Sequence, residues 1–202
     1  MNSPSILTVS GRRWFLGAPD AARLHWPDVA EHLAKINRHI GATVLPISVA
    51  EHCCRVSEIL PPRLKPYGLL HDAHEAYLGD TIGPLKDMLR QEYGDGMLLD
   101  RLEARHDQVI HTAAGLPFPL SAADKALLKQ ADETMFATEV RDLKPAAGPR
   151  DLARLTAFHP EVIRPWPWPK AAERWLECLH AFCPATSAGA AAAGSGVRTA
   201  GS

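Results

Sequence analysis

Residues 46–62, PISVAEHCCRVSEILPP, constrain this chain more than any other stretch, because both ends of a helix are written into them. Ser48 and Glu51 stand at capping-box spacing, which gives the first amides of a helix their hydrogen-bond partners. The paired prolines, Pro61 and Pro62, remove the donors and the backbone freedom that another turn would need.

Similar punctuation recurs along the chain. Val29, Leu33, Ile36 and Ile40 fall at i, i+4, i+7 and i+11, which predicts an amphipathic helix from Pro27 to about Ile40 with proline in its first turn. A further helix is expected from about Pro66 to Leu78, ended by Gly79. Residues 84–91 read as a short helix. Residues 96–112 read as a longer one, with Leu98, Leu99, Leu102, His106, Val109 and Ile110 on its apolar side. Ser121 caps a long helix to about Leu143, whose inner face is Leu128, Ala131, Asp132, Met135 and Glu139. After the rigid link RPWPWPK, Lys170 to Phe182 gives a last helix with Trp175, Leu176, Leu179 and Phe182 inward. The first 24 residues read mostly as loop, with a short strand at ILTV, and strand signals are otherwise almost absent. The expected fold is all-α: one compact helical domain over residues 1–183, then a disordered low-complexity tail over 184–202.

With 202 residues, 46% of them hydrophobic, such a chain can bury one core without staples. Its four cysteines, Cys53, Cys54, Cys178 and Cys183, make no disulfide framework at this length and suit a cytosolic protein. No signal-peptide pattern opens the sequence, and no run approaches the roughly 20 apolar residues of a bilayer span. A cytoplasmic chain with no membrane partner is expected. A net charge of −1 gives no broad attraction for a nucleic acid polymer, although a local phosphate pocket needs only a few charges. Apolar residues on the first and last helices suit a homo-oligomer and a monomer's core equally.

Several motif-like pieces carry no chemistry. GSGVRTAG, in the tail, follows no strand and opens no helix, unlike a phosphate-binding glycine loop. Cys178, His180 and Cys183 read as a helix end with incidental cysteines. HDAHE has the wrong histidine spacing for a zinc protease helix.

Residues 69–80, LLHDAHEAYLGD, are different, since two histidines and three carboxylates are threaded through apolar positions. His52 shares the apolar stripe of its own helix with Val49 and Val56, and taken alone reads as a satisfied core histidine. Asp132 sits among Leu128, Ala131 and Met135, which points a carboxylate inward. A buried carboxylate must be paired, neutralised or bound to a metal, and on its own helix only Lys129 can reach it. His71 and Asp72 can reach one ion if His52 and Asp132 approach from neighbouring helices. Two imidazoles and two carboxylates suit a divalent transition ion with positions left open.

Together, AEHCCRV, LLHDAHEAYLGDTIGPLK and LLKQADETMFATEVRDL resemble the H…HD…D signature of the HD-domain metal-dependent phosphohydrolases, from about Gly11 to Leu143. Among these, the chain is most similar to small 5′-deoxynucleotidases and phage-type dNTP (dATP) triphosphohydrolases. The resemblance implies a compact HD-type helical bundle and a metal held by His52, His71, Asp72 and Asp132. That metal would be cobalt, manganese, zinc, iron or nickel, with magnesium allowed alongside the substrate phosphates. It further implies Glu75 as the acid/base acting on the attacking water and Asp80 as an assisting carboxylate. Arg13 and Trp14 fall where such enzymes keep a phosphate-binding arginine and a base-contacting aromatic, and Lys86 is a further phosphate cation. The expected substrate is a deoxynucleotide, cleaved either as a monophosphate or at the α-phosphate of a triphosphate. The rival reading is a catalytically quiet HD-fold module that senses or binds nucleotides. His74 departs from the small residue common at its position and is expected either to support the site or to lie exposed.

Overall fold

A computed structural model describes residues 3–93, 97–145, 147–148, 152, 155 and 159–187. The fold is all-α apart from one small hairpin. The helices are α1 (Trp26–Lys35), α2 (Val49–Ile59), α3 (Lys65–Leu70), α4 (Glu75–Leu78), α5 (Gly83–Tyr93), α6 (Met97–Ala113), α7 (Ala122–Leu143) and α8 (Trp168–Phe182). The segment expected as loop with one strand instead pairs β1 (Ser5–Leu7) antiparallel to β2 (Arg13–Phe15).

Helix α2 begins as its sequence demands, with Ser48 Oγ accepting from the Glu51 amide. The capping box is only half made, because the Glu51 side chain is used elsewhere. It accepts from Arg55 and from the Trp166 amide, 2.7 Å away, and so ties the proline-rich link to α2.

Two expected helices are interrupted, and both interruptions build the site. Helix α1 stops at Lys35 rather than near Ile40. Asn37 then bridges to Ser48, and His39 and Ile40 take left-handed backbone conformations at φ 56° and 51°. This turn places Arg38 and His39 inside and leaves Ile40 71% exposed, against its apolar periodicity. The helix expected over 66–78 breaks after Leu70. There the amides of Ala73, Glu75, Ala76 and Tyr77 bond three residues back, a tighter winding than α. Gly79 stops the segment at φ 81°, a conformation that side chains rarely adopt.

The core has two connected parts. One packs α1, α2 and α8 around Leu33, Val49, Cys53, Leu70, Trp175 and Leu179; the other packs α2 and α7 around Ile47, Val56, Leu64, Met135 and Leu143. The expected inner face of α8 holds, and that of α7 holds at Ala131, Met135 and Glu139, whereas Asp132 opens to the surface with its side chain 39% exposed; on α6 Leu98 is 82% exposed. Helix α3 lies very close to α2 at Gly68, where a Cβ would come within 2.9 Å of Ser57 Cα. Where a disordered tail was expected from residue 184, Pro184–Thr186 form a 3₁₀ turn with Thr186 buried; residues 188–202 of that expected tail lie outside those described. Among the described residues no helix is long and apolar enough to cross a membrane.

Candidate metal centre

Helices α2 and α7 and the tight turn between α3 and α4 each deliver part of one cluster. His52 comes from the buried stripe of α2, His71 and Asp72 from the turn, and Asp132 from α7. One ligand atom from each of His52, His71 and Asp72 lies within 4.8 Å of the others. Asp132 Oδ1 joins them at 3.0 Å from His52 Nε2 and 3.8 Å from His71 Nε2.

The hydrogen bonds fix which ring nitrogens face inward. His71 Nδ1 is 2.8 Å from the Gly68 carbonyl, and His52 Nδ1 is 2.7 Å from Glu139 Oε1. Both oxygens can only accept, so each Nδ1 carries the hydrogen. In the neutral rings each Nε2 is then a bare lone pair aimed at the carboxylates. His71 Nε2 is buried without a hydrogen-bond partner, although Asp72 Oδ2 stands 3.1 Å away. Lone pairs and carboxylates repel one another unless a cation or protons lie between them. That donor set could hold a metal ion.

The electrostatics agree. Burial and Arg38 push His52 down, but Glu139 and Asp132 outweigh them and hold its pKa above the usual histidine value. Burial likewise opposes Asp72, Cys53 and Asp132 at His71, whose pKa still ends well above the usual value. Asp72 and Asp132 resist burial through the two histidines and stay below the ordinary carboxylate range.

Glu139 was visible on the inner face of α7 but had no evident role. It is fully buried and accepts from His52, from His39 Nε2 at 2.8 Å and from Arg38 Nε at 3.0 Å. Arg38 also reaches to 3.5 Å from Asp72. The readable signal was the seven-residue interval from Asp132 to Glu139, two helical turns on one face. Nothing in the periodicity signals Arg38 or His39, since the left-handed turn that brings them in lies inside what reads as helix. His74 is buried and bonds Asp107 Oδ1 at 2.9 Å, so it is a bridge to α6.

A cleft of about 410 Å³ opens beside the cluster, lined by Arg38, Asp72, Glu75, Asp80, Lys86 and Asp132 among others. Glu75 is 6% exposed and its Oε2 has no hydrogen-bond partner. Burial, with Asp72 and Asp80 nearby, raises its pKa well above the usual carboxylate value. Asp80 is raised too, chiefly by burial.

Two of the residues expected to bind substrate lie elsewhere. Trp14 is 1% exposed and stacks flat on Tyr77 at 3.9 Å, so it is a core residue and no base can reach its ring. Arg13 lies exposed on β2 and lines a separate hollow with Arg12, Asp20 and Arg23. A three-residue strand carries too little pattern to reveal which face is buried. Lys86 does line the cleft, paired to Glu103 at 2.9 Å.

Over 138 residues the chain is 35% identical to the uncharacterized protein YfdR of Escherichia coli (strain K12), an overlap of 68% of this chain and 71% of that one. It is also 35% identical over 144 residues to an uncharacterized protein of Rhodobacter capsulatus, covering 67% of this chain and 70% of the relative. No family model matches the chain.

Proposed function

This chain belongs to the family of YfdR, and we propose that it is a divalent-metal-dependent phosphohydrolase of the HD type acting on deoxynucleoside monophosphates. The observation that carries the reading is the convergence of two imidazole Nε2 atoms and two carboxylates at the wall of a cleft that also holds the unpartnered Oε2 of Glu75.

His52, His71, Asp72 and Asp132 would hold the ion. When bound, it would act as a Lewis acid for a phosphoryl oxygen and make nearby water more acidic. Glu75 would take the proton from the attacking water, since a raised pKa makes its carboxylate the stronger base, and would pass that proton to the leaving oxygen as the bond breaks. Asp80, beside it, helps hold the proton on Glu75. Arg38 and His39 orient Glu139, which orients His52.

The distribution of cations favours a monophosphate over a triphosphate. Arg12 and Arg13 line another hollow, Lys129 pairs with Glu133, and Lys86 pairs with Glu103. Among cleft-lining cations, Lys144 alone has no ion-pair partner among the described residues. Such a lining offsets one phosphate more readily than three.

The test is phosphate release from a panel of deoxynucleoside mono- and triphosphates by manganese- or cobalt-loaded protein. The expected result is inorganic phosphate from the monophosphates, with kcat for Glu75→Gln lower by roughly 100-fold or more. Release of triphosphate from the triphosphates would favour the rival substrate. No turnover of either set would overturn the reading.

A further inference from the structure

The metal cleft continues into a second, larger hollow that no role described so far uses. This hollow, of about 680 Å³, is lined by Ala42, Val44, Phe136, Val140, Leu143 and Lys144 among others. It shares Ala42, Phe136 and Lys144 with the cleft. The volume is in the usual range for small-molecule pockets.

Helix α7 sets the alignment of the two spaces. Asp132, Phe136, Val140 and Lys144 follow at intervals of four, so they form one stripe from the metal cluster to the far end of the hollow. Four residues advance the helix by about 6 Å, so Phe136 stands one step from Asp132. Its ring is 40% exposed, although α7 otherwise buries its large apolar side chains near here. His39 packs against it at 5.4 Å and so braces the aromatic at the junction of the two spaces.

The lining also constrains the chemistry of an occupant. The amides of Ala42 and Val44 already bond His39 and Leu143 carbonyls, and the Thr43 hydroxyl donates to Leu45. Among the described lining residues, Lys144 is left as the free side-chain donor. Such a pocket holds a flat ring by its faces and reads little of its hydrogen-bonding edge.

We propose that Phe136 and this hollow receive the base of a deoxynucleotide whose phosphate lies in the metal cleft, which makes Phe136 the base-stacking residue in place of the buried Trp14. This rests on the proposed phosphohydrolase activity for the phosphate end and on the pocket alone for the base. The arrangement selects an aromatic nucleoside part over a bare sugar phosphate, with little preference among bases.

Two measurements test it, and the first is independent of the activity. Saturation-transfer NMR follows binding of phosphate-free deoxyadenosine, and kinetics compare kcat/KM for dAMP and ribose 5-phosphate. Phe136→Ala is expected to weaken deoxyadenosine binding about ten-fold and to lower the dAMP preference by a similar factor, while Phe136→Trp keeps both. Deoxyadenosine binding that is lost in Phe136→Ala, in a protein with no turnover of any ester, upholds the pocket and overturns the activity. Turnover of dAMP with both measures unchanged in Phe136→Ala upholds the activity and overturns the pocket. Equal loss in Phe136→Trp and Phe136→Ala also overturns the stacking role.

Discussion

Glu139 Oε1 lies 2.7 Å from His52 Nδ1, with both side chains fully buried. The contact fixes the tautomer of His52 so that Nε2 faces Asp132 and the cleft. Glu139 is itself held well below the ordinary carboxylate range, because Arg38 and His52 outweigh the cost of burying it. Glu139→Gln removes the negative charge while keeping the shape. Metal affinity is expected to fall by roughly 10- to 100-fold, the usual effect of losing such a supporting carboxylate, and calorimetric metal titration checks it. Arg38 loses its main counter-charge at the same time, so the melting temperature should fall as well.

Metal binding should depend on pH in one direction. The raised pKa values of His52 and His71 mean that, without metal, their protonated forms stabilise the fold. That contribution is complete below the ordinary histidine value and is lost as pH rises through the raised values. A metal needs the neutral rings, so it must displace those protons. The rise in melting temperature on adding manganese should therefore be larger at about pH 8 than at about pH 6. Thermal melts at the two pH values decide this, and a larger rise at the lower pH would contradict it.

Trp14 fills the core against Tyr77 rather than the cleft. Trp14→Phe should lower the melting temperature yet leave KM for deoxynucleoside monophosphates within about two-fold of the wild type. Trp14→Ala should cost about 3–5 kcal/mol in denaturant unfolding. A selective rise in KM with unchanged stability would restore the base-contacting role.

Gly68 lets α3 approach α2 closely enough to set His71 beside His52. An added Cβ meets Ser57 Cα at 2.9 Å, and that backbone atom cannot swing aside as a flexible side chain can. Gly68→Ala should cost about 1–3 kcal/mol and weaken metal binding in the same protein. An unchanged melting temperature and metal affinity would show that the two helices separate without consequence.

The legible parts of this molecule are those with long periodicity or a costly anomaly. Helices α2, α7 and α8 follow their apolar stripes, and His52 and Asp132 stand out because each puts a polar group on such a stripe. His71 and Asp72 stand out likewise, as polar residues threaded through apolar positions, and the fold brings them beside the other two. The illegible parts depend on conformations that periodicity does not encode. The left-handed turn at His39 and Ile40 breaks a pattern that otherwise extends to Ile40, and it carries Arg38 to Glu139. The hairpin that buries Trp14 has strands of three residues each, too short to show an inner face.

The most direct test of the metal centre is isothermal titration of manganese or cobalt into chelator-treated protein, with His71→Ala and Asp132→Ala beside the wild type. Saturation at one ion per chain in the wild type, with affinity reduced at least ten-fold in each folded variant, is the expected result. A wild type that binds no ion stoichiometrically, or variants that bind as tightly as it does, would contradict a metal centre at these four residues.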